Sequence, residues 1–305
     1  MPQPPDADVL WKGCVERMRY GIFVNPKAGD TSVDEKREML ENIREILGGD
    51  CDIHGLDTDS AQEFRSLVAE KAGEVEIMIA AGGDGSVSDA INAVDEDVIF
   101  SFLPLGSACA LRDALGLPDD PIEVAERIRD GREHKLDLIL CDDNRKAFVC
   151  GLGVEGGVLK RREQMQEDGK QGFTAYASAL ASVFGEMDRT DMTLSLDGEP
   201  LDASNVATAI VTKIPYYGYK MEVVPKAVFD DGYLHLRVLD EGWAQLAAGL
   251  AKSRFTGSEA ETPRQAREIE IRTEKKRYLH IDGNVAREGD SFRFRVLPGA
   301  LRMWY

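Results

Sequence analysis

Gly82-Gly-Asp-Gly85 follows directly on the strand-forming run Glu76-Ile-Met-Ile-Ala80 and precedes a helical run over 87–94. Glycines at such a turn let a phosphate approach the backbone, and the helix start offers N–H groups and a positive dipole end. Gly82, Gly83, Gly85 and Ser86 are therefore candidate phosphate binders. Asp84 stands where it can hold Mg2+ through water or meet a reacting hydroxyl; a ligand-free tight turn, or an aspartate capping that turn, is the bland alternative. Asn25-Pro-Lys-Ala-Gly29 repeats the logic after 19–24, with Lys27 as a phosphate partner, although alone it reads as a plain turn. Pro104-Leu-Gly-Ser107 closes a third strand. In the second half, Asp230-Asp-Gly232 and Asp282-Gly283 place carboxylates in turns beside strands, where Asp-Gly is ordinarily a hairpin signal.

The elements that position these loops alternate. The spacing predicts strands over 19–24, 76–80 and 99–103, and helices over 31–47, 60–72, 87–94, 108–115 and 121–129. Ser60 followed by Glu63 has the capping-box pattern. Such alternation implies a mainly parallel sheet covered on both faces, with the three loops at its carboxyl edge, where open α/β folds bind ligands. Past residue 135 the pattern becomes strands, over 135–141, 146–150, 192–196, 207–212, 233–239, 268–272, 278–281 and 291–296. Helices interrupt only near 171–185 and 242–252. The organisation expected is a loose arm over 1–17, an α/β nucleotide-binding domain over 18–134 and a β-rich, sandwich-like domain over 135–305, hinged near 131–140.

Composition narrows the class. The chain has 305 residues, 43% hydrophobic and 30% charged, as in soluble globular proteins. A net charge of −18 repels phosphate backbones, so nucleic acid is not an expected partner. The longest stretch free of Asp, Glu, Lys and Arg is 15 residues, short of a bilayer span. Five scattered cysteines (14, 51, 109, 141 and 150) without a C-x-x-C pair read as reduced thiols, and with an acidic, proline-bearing start the expected location is the cytoplasm. The four histidines show no metal-site spacing. Lys160-Arg-Arg162 reads as a solvated face, with anionic lipid heads as the alternative partner, and the apolar residues of 171–185 as core, with the wall of an acyl-chain pocket as the alternative.

Taken in order, Asn25-Pro-Lys-Ala-Gly29, Gly82-Gly-Asp-Gly-Ser86, Pro104-Leu-Gly-Ser107, Gly151-Leu-Gly-Val-Glu155, Tyr216-Tyr-Gly-Tyr-Lys-Met221, Pro225-Lys-Ala with Asp230-Asp-Gly232, and Asp282-Gly283 resemble the diacylglycerol kinase catalytic-domain superfamily. The likeness is to the bacterial soluble lipid kinases of the diacylglycerol kinase B and YegS type, with sphingosine and ceramide kinases more distant, and it covers 18–305. It implies a domain like that of NAD kinases and 6-phosphofructokinases, followed by a β-sandwich-like domain, with the active site in the cleft between. It further implies that Asn25, Lys27, Ser107 and the glycine loop embrace ATP phosphates, with Thr58 near the nucleotide. Asp282 resembles the general base that receives the lipid hydroxyl proton. Asp231, with the carbonyl of Tyr233, resembles part of a structural Mg2+ site.

Three positions depart from the family pattern. Where the family reads G-T-x-N-D, this chain has Gly106-Ser-Ala-Cys-Ala110, and the family's D-G-E is Asp282-Gly-Asn284. An amide and two carboxylates are absent. The expectation is an ATP- and Mg2+-dependent lipid kinase with an altered site, acting on a diacylglycerol-like or sphingoid lipid. It would touch membranes transiently, and it is compatible with a homodimer. The alternatives are a nucleotide- or lipid-binding regulator without turnover and, less in keeping with Pro225-Lys-Ala and Asp231-Gly232, an NAD kinase.

Overall fold

A computed structural model describes residues 18–29, 31–48, 50–106, 108–153, 189–218, 220–240 and 263–305. The expectations for Ser107, the 1–17 arm, Lys160-Arg-Arg162, and the helices near 171–185 and 242–252 lie outside the described residues.

The first part runs β1 (Tyr20–Val24), α1 (Val33–Ile46), β2 (Cys51–His54), α2 (Ala61–Lys71), β3 (Ile77–Gly82), α3 (Asp84–Ile91), β4 (Ile99–Pro104), α4 (Ala110–Leu115) and α5 (Pro121–Arg129). β1 pairs in parallel with β2 and β3, and β3 with β4. β1 and β3 are buried along their whole length, as central strands covered on both faces must be. α1 packs on α5, and α2 on α3. The helix starts are specified locally. Ser32 and Glu35 form a reciprocal capping box on α1. Ser60 caps α2 by accepting from Glu63 N–H, but the Glu63 carboxylate turns to Asp59 N–H, so that box is only half made.

The second part is β5 (Glu133–Cys141), β6 (Arg145–Ala147), β7 (Val149–Gly153), β8 (Thr190–Leu196), β9 (Glu199–Val206), β10 (Thr208–Thr212), β11 (Tyr216–Tyr217), β12 (Met221–Glu222), β13 (Leu234–Leu239), β14 (Arg264–Ala266), β15 (Glu268–Ile281) and β16 (Asn284–Trp304). The expected 134/135 boundary falls inside β5, which pairs antiparallel with β16 from end to end. The last residues return to the first part, where Arg302 and Met303 pair in parallel with Ile99 and Phe100 of β4. One sheet thus joins both parts, and residues 133–140 of the expected hinge region belong to a paired strand.

β15 and β16 meet at Asp282-Gly283, where Ile281 pairs with Asn284 and φ is 46° at Asp282 and 83° at Gly283. These are the values of a two-residue hairpin turn of the primed type, which Asp and Gly tolerate best. The hairpin expected at Asp282-Gly283 is therefore present.

Candidate active site

Three loops close on one another at the carboxyl edge of the parallel strands. Asn25 N–H donates to the Ala81 carbonyl, and Leu105 N–H to that of Gly82, 3.0 and 2.9 Å. The Asn25 amide donates to Ser86 Oγ at 2.9 Å while its oxygen accepts Lys27 N–H at 3.0 Å. The Lys27 ammonium reaches the Asp59 carbonyl at 2.6 Å, and the neighbouring Thr58 hydroxyl donates to Gly55 O at 2.7 Å. A Cβ at Gly82 would lie 2.4 Å from Ser86 Oγ, so only glycine fits. Asn25, Lys27, Thr58, Gly82 and Ser86 are thus brought together as one knitted rim. At its centre α3 begins with Gly83 as its cap, and the N–H groups of Asp84 and Gly85 have no intrahelical acceptor.

Asp84 leans away from its own loop. Its Oδ2 accepts Ala110 N–H at 2.8 Å and its Oδ1 accepts Leu111 N–H at 3.2 Å, so it caps α4 from outside. The residue at the cap position, Cys109, makes no side-chain cap bond. Its buried thiol donates to Gly106 O at 3.2 Å, and burial, with Asp84 nearby, pushes it up to about 12. Such a thiol is inert at neutral pH. Burial likewise pushes Asp84 up to about 6. The two N–H groups oppose that rise and the negative charge of Asp282 adds to it.

Asp282 faces Asp84 from the other side of the cleft. Its Oδ1 accepts the N–H groups of Phe148 and Val149 at 3.0 and 2.9 Å, while its backbone N–H donates to Val149 O. Its Oδ2 is buried and makes no hydrogen bond among the described residues, and the hydroxyl of nearby Ser88 makes none either. Burial raises this carboxyl to about 6, against the N–H groups of Val149 and Phe148, the nearness of the Ser88 hydroxyl and the positive charge of Arg145. An unpartnered oxygen buried at a cleft is costly unless something else fills its lone pairs. Asn284 stands over the glycine loop, 3.2 Å from where a Gly85 Cβ would be.

Two supports escaped sequence reasoning. His280 Nε2 lies 3.2 Å from Tyr217 Oη, in space left by Gly151, where a Cβ would come within 2.2 Å of the ring. Burial lowers this imidazole to about 4, so it is neutral. The turn after β11 docks on α4, where Lys220 N–H donates to Asp113 Oδ2 at 3.1 Å.

Asp231 and the Tyr233 carbonyl do not join this cleft, and the place expected of Mg2+ is filled. Lys213 Nζ donates to Asp231 Oδ1 at 2.7 Å, to Asp137 Oδ2 at 3.0 Å and to Tyr233 O. As they stand, these oxygens do not fit a divalent ion, because an ammonium already occupies their shared focus. Lys213 carried no motif signal. Among the described residues no group of three His, Cys, Asp or Glu could hold a metal ion, and no helix is long and apolar enough to cross a membrane.

Comparison with known proteins identifies the family and the fold. Residues 19–141 match the family model described as the diacylglycerol kinase catalytic domain, and 149–305 match the YegS C-terminal NAD kinase beta sandwich-like domain. A Stenotrophomonas maltophilia protein named "Probable lipid kinase YegS-like" is 25% identical over 93% of this chain and 95% of its own. A Staphylococcus aureus diacylglycerol kinase is 22% identical over 88% and 86%. The crystal structure of a diacylglycerol kinase from Bacillus anthracis covers 96% of this chain and 98% of its own with a TM-score of 0.74 at 18% identity. An NAD kinase from Archaeoglobus fulgidus in complex with ATP reaches a TM-score of 0.50 at 11% identity, covering 94% and 93%.

Proposed function

The chain belongs to the diacylglycerol kinase and YegS family of lipid kinases, and from that premise we propose that it transfers the γ-phosphoryl group of ATP to a hydroxyl of a diacylglycerol-like or sphingoid lipid. The observation that carries the reading is the confrontation of the open helix start at Gly83–Gly85 with the unpartnered Oδ2 of Asp282. ATP with its Mg2+ would supply the phosphoryl group and neutralise its charge; the donors that fit them are the N–H groups at the start of α3, the Lys27 ammonium and the carboxylates of Asp84 and Asp282.

Phosphoryl transfer depends mainly on alignment and charge stabilisation. The α3 N–H groups and the helix dipole favour phosphate oxygens at the loop, and glycine lets them come close. Asp84 fixes α4, and with it the third loop, against the glycine loop. Asp282 accepts the hydroxyl proton at Oδ2 while its Oδ1 is held still by Phe148 and Val149. A rise to about 6 leaves this carboxyl ionised at neutral pH yet basic enough to take a proton. Collecting a lipid requires visiting a bilayer surface.

The test is transfer of label from γ-radiolabelled ATP to a panel of diacylglycerols, sphingoid bases and mixed lipid extracts. A labelled, organic-extractable product from one class supports the reading and names the acceptor. Calorimetric binding of ATP with no labelled lipid would favour a regulator without turnover, as the substitutions at Cys109, Ala110 and Asn284 allow.

A further inference from the structure

We infer that the ammonium of Lys213 permanently takes the place of the divalent cation expected at the Asp231 turn, so that the second domain is built around an internal cation and needs no structural metal. This goes beyond the kinase reading and does not depend on it.

Lys213 follows β10 directly and is fully buried. A lysine with no exposed surface is tolerated only where its charge is paired and all three N–H donors find acceptors. Here they find two carboxylates and one carbonyl, the hard oxygen set a Mg2+ or Ca2+ ion would take. The rest of the shell closes around that ammonium. Asp137, itself buried, also accepts Gly232 N–H and Gly299 N–H at 2.7 and 2.8 Å. Asp231 accepts Tyr233 N–H at 3.1 Å on Oδ1 and Gln265 Nε2 at 3.1 Å on Oδ2, and lies 3.0 Å from His235 Nε2. Burial alone would raise Asp231, but hydrogen bonds from Lys213 and Tyr233 and the Lys213 charge outweigh it and hold the carboxyl below its ordinary value. A divalent ion would have to displace the ammonium, and no acceptor would remain for it.

The knot ties together β5, the end of β10, the turn before β13 and the β16 bulge near Gly299, so its loss acts on the seam between the two halves. The test is a melting curve of the nucleotide-free full chain in EDTA and in millimolar MgCl2 or MnCl2. Wild type should melt within about 1 °C in both, a gap small against that of one lost interaction. Lys213→Ala should fall by about 10 °C in EDTA, as expected for a broken buried ion pair, and regain at least half of that loss saturably with a divalent ion. Adding Asp231→Asn to Lys213→Ala should abolish the regain. A wild-type midpoint raised several degrees by Mg2+, with the gain lost in Asp231→Asn, would overturn the inference. So would a Lys213→Ala protein that melts with wild type in EDTA. If that variant is insoluble without added metal, purification in MnCl2 decides the matter. One bound manganese per chain, absent from wild type, supports the exchange, and none overturns it.

Discussion

Asp84 and Asp282 at the cleft and Asp137 and Asp231 at the seam are both pairs of carboxylates wholly or partly withdrawn from water, yet Asp84 and Asp282 are raised whereas Asp231 is lowered. At the cleft burial raises each carboxyl to about 6, the charge of Asp282 adding to the rise of Asp84, and Asp282 Oδ2 makes no hydrogen bond among the described residues. At the seam Lys213 touches both members, and Asp231 is held low. A fully satisfied cluster stabilises the fold and asks for nothing further, whereas a cluster short of donors is completed only by a ligand. In this chain the seam cluster is thus complete within the fold, and the cleft pair is the one the kinase proposal rests on.

The largest expected effect separates the two. Asp282→Asn should lower kcat by about 10²- to 10⁴-fold, the usual worth of a general base, with a melting midpoint at or above wild type because a buried charge is gone and Asn tolerates positive φ. Steady-state kinetics and a melting curve on one preparation check both parts. Asp137→Ala should do the reverse. It strips Lys213 of one partner and leaves Gly232 N–H and Gly299 N–H unpaired, costing about 3–5 kcal/mol of stability with kcat of the folded fraction little changed. A urea titration measures it, and equal losses from both variants would erase the distinction.

pH should sharpen the contrast. The base must be ionised, so kcat should rise through pH of about 6 and then level. Folded Asp84 and Asp282 keep protons that the unfolded chain releases from about pH 4, so their contribution to stability falls as pH rises from about 4 to 6 and is flat above. Asp231 has the opposite sign. Its contribution is present above the ordinary carboxylate value and is lost as pH falls through its lowered one. Unfolding of wild type, Asp282→Asn and Asp231→Asn at pH 2.5, 4.5, 6 and 7.5 resolves the two signs, the first interval reporting Asp231 and the second Asp282. The smallest effect is at Gly85→Ala, whose Cβ would lie 3.2 Å from Asn284 Nδ2. Asn284 is exposed and can shift, so a loss of only a few-fold in kcat/KM for ATP is expected, relieved by adding Asn284→Ala in a double-mutant cycle.

What the sequence made legible was local. The helix Pro121–Arg129, with Asp120 as cap and Pro at its first position, lies where the spacing places it. So does the hairpin turn at Asp282-Gly283, with positive φ at both residues. The strand-to-loop punctuation located all three loops because glycine and proline act within a few residues. The long strands were not legible. β15 reads as two runs because Glu274-Lys-Lys276 breaks the apolar alternation at a register shift, and β16 reads as six residues because Pro298-Gly299 falls at a bulge. Asp84, which the sequence offers to Mg2+ or a reacting hydroxyl with a cap on its own turn as the alternative, caps α4, 26 positions away. Lys213 was invisible for the same reason, since its burial follows from acids on two other elements.

Whether the cleft between Asp84 and Asp282 transfers phosphate is decided most directly by ATP calorimetry and γ-phosphate transfer to lipid, run side by side on wild type and Asp282→Asn. The expected result is wild-type labelling of one lipid class and at least about 100-fold less from the variant, while ATP affinity stays within about threefold. Equal labelling by the two proteins would remove Asp282 from the chemistry, and wild-type ATP binding without any labelled lipid would contradict the kinase assignment.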